Sequence, residues 1–140
     1  MSMTRRELMV LAAGSAAAFG LSGLPAFASA TDDAIAAFTG GADATEGGID
    51  LTAPEIAENG NTVPIEVSAD GAVAIMLLAS GNPLPGVVTF NFGPLAASRS
   101  GSTRIRLAKS QDVIAVAKME DGTFRKASAA VKVTIGGCGG

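Results

Sequence analysis

The sequence predicts a mainly β protein, an antiparallel immunoglobulin-like β-sandwich with a short N-terminal helix. Three observations carry that expectation. From Ile49 onward apolar and polar residues alternate with a period of two, the mark of half-buried strands. Turn signals built on Gly, Asn, Asp and Pro recur at intervals of about 8–12 residues. No helical apolar period persists after residue 40, so the helices that a parallel α/β sheet requires are missing. A chain of 140 residues is enough for one domain. The part after residue 30 is close to the ~100 residues of an immunoglobulin-sized sandwich.

The first 30 residues read as a segment apart. Arg5-Arg6 precede an Ala/Gly/Leu run and then Ala28-Ser29-Ala30, which together form the basic, apolar and small-x-small parts of an export signal. The arginine pair, with Leu8 just beyond, fits the twin-arginine type. A membrane anchor is the competing reading, but Gly14, Gly20, Gly23 and Pro25 weaken such a helix. The expected organisation is a twin-arginine signal peptide over 1–30, a sandwich over 31–135 and a glycine-rich arm over 136–140. Removing Arg5, Arg6 and Glu7 from 10 basic and 13 acidic residues leaves 8 and 12, a net charge of about −4. No basic segment stands out, so nucleic acid is not an expected partner.

Within the sandwich, Thr31 with Asp32 and Asp33 predicts a helix start, and Ile35 and Phe38 give it an apolar stripe as far as Thr39. Gly40 to Gly48 reads as a loop. Ile49, Leu51 and Ala53 alternate, Pro54 suggests a strand edge, and Glu58-Asn59-Gly60-Asn61 reads as a tight turn drawing on positive φ. Val63, Ile65 and Val67 then alternate on a returning strand. Asp70-Gly71 marks a turn before Ala72–Leu78, a continuous apolar run that fits a strand buried on both faces. Further strands are expected at Val87–Phe92, at Thr103–Leu107 with Arg104 and Arg106 facing out, and at Asp112–Met119. Asp121-Gly122 is a hairpin turn, and Val131, Val133 and Ile135 alternate on the last strand. Seven or eight strands result.

The chemistry-bearing residues are few. The chain has no His, Trp or Tyr, which excludes Ser-His-Asp and Cys-His catalysis and ordinary zinc-histidine or haem sites. A single cysteine excludes an internal disulfide, a CxxC redox pair and multi-cysteine metal sites. No cofactor is expected, and the chain is not expected to be an enzyme. That cysteine, Cys138, stands in Gly136-Gly137-Cys138-Gly139-Gly140. Four glycines minimise width and steric restriction around the thiol, so the segment suits entry into a narrow channel. Two roles remain open on these residues alone: a covalent carrier, and an exported structural sandwich that dimerises through an intermolecular disulfide. No cation adjoins Cys138, and a nearby terminal carboxylate disfavours the thiolate. Activation is therefore expected from partner enzymes. Arg104 and Arg106, like Phe90 and Phe92, read more simply as strand surface and core than as ligand contacts.

The segments Ala53–Pro64, Thr103–Ala108 and Val131–Gly140 resemble the SoxY sulfur-carrier family of bacterial thiosulfate oxidation, and the Gly-Gly-Cys-Gly-Gly ending matches residue by residue. The resemblance implies a periplasmic carrier, exported folded by the twin-arginine route as a heterodimer with SoxZ. It also implies transient encounters with three enzymes. SoxAX joins thiosulfate oxidatively to Cys138, SoxB removes the terminal sulfonate as sulfate, and SoxCD oxidises the remaining sulfane sulfur. Cys138 is then the point of covalent sulfur attachment, and Gly136, Gly137, Gly139 and Gly140 are the carrier arm. Ubiquitin-like sulfur carriers also end in Gly-Gly, but they need a long helix across a small sheet, and the sequence offers none.

Overall fold

A computed structural model of the chain describes residues 26–134. Helix α1 (Ala26–Thr39) precedes nine strands: β1 (Ala44–Glu46), β2 (Asp50–Thr52), β3 (Ile56–Ala57), β4 (Val63–Ser68), β5 (Ala72–Ala79), β6 (Gly86–Asn91), β7 (Ser100–Ile105), β8 (Gln111–Met119) and β9 (Phe124–Val133). They form two sheets. The larger has the order β1-β9-β8-β5-β6 with β3 also on β9; the smaller is β2-β4-β7. This is the two-sheet sandwich that the sequence predicts.

Strand alternation builds the core. Val63, Ile65 and Val67 of β4 face inward while Pro64 and Glu66 face out. They meet Ile75, Leu77 and Ala79 of β5 and Val113, Ala115 and Ala117 of β8 from the opposite sheet. Each large side chain buried there contributes about 1.5–3 kcal/mol. Phe90 and Phe92 pack half-buried against this core. The Phe90 ring lies so close over Gly101 that a Cβ there would stand 2.7 Å from it, so only glycine lets β6 close against β7 at that point.

The double burial expected of β5 has a visible cause. Its other face carries Met76 and Leu78, which with Val116 of β8 form a second cluster beneath Ala34, Ile35 and Phe38 of α1. Phe38 meets Phe124 edge to face at 6.1 Å, fixing the end of the helix over β9. A strand covered by a sheet on one side and a helix on the other has no polar face, which explains the unbroken apolar run.

Five details differ from expectation. The helix is already formed at Ala26, the first described residue and five before Thr31, because the alanine-rich run Ala26–Ala30 favours helix and nothing at position 31 stops it. Thr31 is therefore an interior helical residue, and its buried hydroxyl has no hydrogen-bond partner among the described residues. Second, the expected loop after the helix contains β1. Third, β1 and β3 pair with β9 in parallel, whereas the other pairings are antiparallel. Fourth, Asn59-Gly60 does not close a tight hairpin: β2 pairs with β4, and β3 between them crosses to the other sheet. Gly60 has no positive φ. The turn is made instead by the Asn59 side chain, whose Oδ1 accepts from the Asn61 N–H at 3.0 Å. Fifth, β7 begins at Ser100 rather than Thr103, because β4 offers Ser68 as a partner to Ser100. The described residues form nine strands instead of seven or eight.

Candidate carrier site

Register fixes which loops share an end of the sandwich. Ala79 of β5 pairs with Val113 of β8, and Gln111 of β8 pairs with Val131 of β9. The last turn of β5, the first of β8 and the final residues of β9 therefore sit together. Cys138 and the glycines Gly136, Gly137, Gly139 and Gly140 lie outside the described residues, as does Ile135. What the structure shows is the exit, the place from which the chain leads towards them.

The exit is held from both sides. On one edge β3 pairs Ile56 with Lys132 and Ala57 with Val133. The Lys132 N–H donates to the Glu55 carbonyl at 2.9 Å, and the Thr134 N–H to the Ala57 carbonyl at 3.1 Å. The Thr134 hydroxyl adds contacts to the carbonyls of Ala57 and Glu58 at 3.5 and 3.4 Å. On the other side, in the β7–β8 loop, the Ser110 hydroxyl accepts from the Val133 N–H at 2.8 Å and faces the Val133 carbonyl at 3.4 Å. β9 is thus anchored through Thr134.

Around that anchor, two loops are tied by side chains. Asn82, in the β5–β6 loop, donates through Nδ2 to the Arg106 carbonyl at 2.8 Å. Its Oδ1 accepts from the Ala108 N–H at 3.0 Å and from Gln111 Nε2 at 2.9 Å. Gln111 returns the link, accepting from the Gly81 N–H at 2.8 Å and donating to the Lys109 carbonyl at 2.9 Å. The Leu107 N–H reaches the Gly60 carbonyl at 2.7 Å, joining the β3–β4 turn to the same cluster. None of Asn82, Ser110 and Gln111 was singled out from the sequence. Apart from the Gln111 bond to the Lys109 carbonyl two residues back, their partners lie 23 to 30 residues away, beyond any local pattern.

Other residues weighed from the sequence fall elsewhere. Arg104 is exposed on the outer face of the smaller sheet, 3.5 Å from the Thr62 hydroxyl. Arg106 is exposed just past the end of β7. Asp121 sits at the opposite end of the sandwich. Its carboxylate accepts from the Thr123 hydroxyl at 2.6 Å and the Thr123 N–H at 2.9 Å, and these bonds hold its pKa below the usual carboxylate value. Among the described residues no group of three acidic, Cys or His side chains is placed to hold a metal, and no helix is long and apolar enough to cross a membrane.

The model of the family "Sulfur oxidation protein SoxY" matches residues 35–138, a span that reaches Cys138. Among solved structures, the sulfur carrier protein SoxY from Chlorobium limicola f thiosulfatophilum is similar at 39% identity and a TM-score of 0.68, over 77% of this chain and 99% of that one. A superoxide reductase (neelaredoxin) from Ignicoccus hospitalis shares the fold at 20% identity and a TM-score of 0.55, over 64% of this chain and 80% of that one. A putative superoxide reductase from Thermotoga maritima does so at 16% identity and a TM-score of 0.53, over 70% and 91%. A comparison with curated proteins gives no match. The family match and the similarity to a SoxY sulfur carrier define a carrier of sulfur oxidation rather than a catalyst. Within that class, the chain belongs to the SoxY family.

Proposed function

We propose that Cys138 carries sulfur taken from thiosulfate, and that the sandwich presents it in the periplasm to the enzymes of the Sox system. The single observation that supports this most strongly is the family match running through Cys138, the one cysteine of the chain. The anchored exit supports it physically. Thr134 is pinned to the β3 side and its neighbour Val133 to Ser110 on the other, so the four residues from Thr134 to Cys138 give a reach of at most about 13–14 Å beyond a fixed body. A glycine-flanked thiol on that leash fits a narrow channel, because no neighbouring side chain widens it.

The chemistry balances with partner enzymes supplying what the chain lacks. The Cys138 thiol and thiosulfate join through a new S–S bond. One proton is released, and two electrons leave to the haem-containing SoxAX. Water then cleaves the S–S bond to the sulfonate in SoxB, releasing hydrogen sulfate and leaving a persulfide on Cys138. SoxCD oxidises that sulfane sulfur. SoxZ is the heterodimer partner in this reading, and Arg5-Arg6 support twin-arginine export to the periplasm. Gly136, Gly137, Gly139 and Gly140 form the arm.

Reconstituted thiosulfate oxidation tests the assignment. Cys138→Ser should abolish turnover while leaving thermal melting unchanged, and Gly137→Val should lower turnover with the same melting curve. Thiosulfate-dependent mass that survives Cys138→Ser would place the sulfur on another group and overturn the reading.

A further inference from the structure

Helix α1 carries the sequence of a helix start in its interior. It runs unbroken from Ala26 to Thr39, yet Thr31-Asp32-Asp33, the chemistry of an N-terminal turn, stands well inside it. Thr31, Ala34, Ile35 and Phe38 share one stripe by their spacing, and the last three pack on the cluster of Met76, Leu78 and Val116. Thr31 is buried with them at 7% exposure, and its Oγ1 has no hydrogen-bond partner among the described residues. A lone hydroxyl on the apolar stripe of an uninterrupted helix is a cost, and a valine of the same shape avoids it. Asp32 and Asp33 lie off the stripe and are exposed.

Immediately before Thr31 the sequence reads Ala28-Ser29-Ala30, the small-x-small pattern at which export signals are cut. We propose that α1 is cut between Ala30 and Thr31, and that the cut turns Thr31 from a buried misfit into the cap of the helix that remains. Water hydrolyses the peptide bond, leaving a carboxylate on Ala30 and an ammonium on Thr31. With the carbonyls of the preceding turn gone, the N–H groups of Asp32, Asp33 and Ala34 lose their intrahelical acceptors. The Thr31 hydroxyl then accepts from the N–H of Asp33 or Ala34, the bond a capping side chain makes. Asp32 and Asp33 fall in the new first turn, where carboxylates complement the helix dipole. Ala34, Ile35 and Phe38 keep the shortened helix seated, Phe38 against Phe124. Helix ends open locally at little cost, so the turn before Thr31 can present its peptide bond to an endopeptidase while that seat holds. The cut presupposes export and is independent of what Cys138 carries.

Two measurements on the same protein test this. The chain isolated from the periplasmic fraction should begin at Thr31, by intact mass and by its first residue. Thr31→Val should then act in opposite directions on the two forms. In the uncut chain of 140 residues, made by membrane-free translation, it should raise the unfolding midpoint by about 0.5 M urea. In the exported protein it should lower the midpoint by a similar amount, and Thr31→Ser, which keeps the cap, should lower it less. An exported chain that begins at another residue, or a midpoint that moves the same way or not at all in both forms, would overturn the proposal. A chain recovered only with residues 1–30 still attached would overturn it together with export.

Discussion

The two ends of the sandwich are built by different means. At the end remote from the exit, the connections are local: Gly71 and Gly122 take φ of 79° and 84°, and Asp121 caps its own turn through Thr123. One ion pair, Arg99–Glu120 at 3.2 Å, and the Arg99 bond to the Ala72 carbonyl at 3.0 Å supplement them. At the exit end, Gly60 and Gly81 have no positive φ, and the loops are held by Asn82, Ser110 and Gln111 across long stretches of sequence. The difference teaches where rigidity is placed. Tight turns stiffen themselves, whereas the exit depends on a shared cluster whose parts hold one another.

Breaking that cluster should have the largest effect. Asn82→Ala removes three hydrogen bonds and leaves the Arg106 carbonyl and the Ala108 N–H without their partner. It should destabilise the fold by about 2 kcal/mol, read as a shifted denaturation midpoint at constant m-value. A loss near zero would mean that water replaces the cluster at no cost. Next comes the opposite end, where Gly122→Ala forces a side chain into left-handed backbone and should cost about 1 kcal/mol. That change should leave amide exchange at Val133 and Thr134 unaffected, while Asn82→Ala should raise it.

The smallest effect sharpens the contrast through pH. Asp121 has a folded pKa lowered by Thr123, so its contribution is present above the unfolded carboxylate value of 3.8 and fades as pH falls through the lower folded value. Thr123→Ala should remove one of the two bonds and reduce the stability difference between neutral pH and pH below about 3. If the acid limbs of both proteins superimpose, Asp121 is no more than a bystander of its turn.

The same contrast explains what could be read from the sequence. Asp70-Gly71 and Asp121-Gly122 were legible because a turn's φ requirement is written in adjacent residues. The alternation of Val63, Ile65 and Val67 and the unbroken run of β5 were legible because burial imposes a period. The two-residue strand β3 was not, since Ile56-Ala57 is too short for any period to show and exists only because β9 offers it an edge. Asn59-Gly60 was misread for a related reason: its geometry is set by where β3 and β4 must go, not by its dipeptide preference. The start of α1 was misplaced because Thr31, Asp32 and Asp33 mimic a helix start inside a longer alanine-rich helix. Cys138 stood out as the one thiol of the chain, while the Asn82–Gln111 cluster that stiffens the exit left no local trace.

The intact mass of the protein isolated from thiosulfate-grown cells, before and after reduction, tests the sulfur-carrier assignment most directly. A sulfur carrier should show sulfur-containing additions that vanish on reduction, map to the peptide containing Cys138 and are absent from Cys138→Ser. Protein recovered at its unmodified mass, or additions mapping to any other peptide, would contradict it.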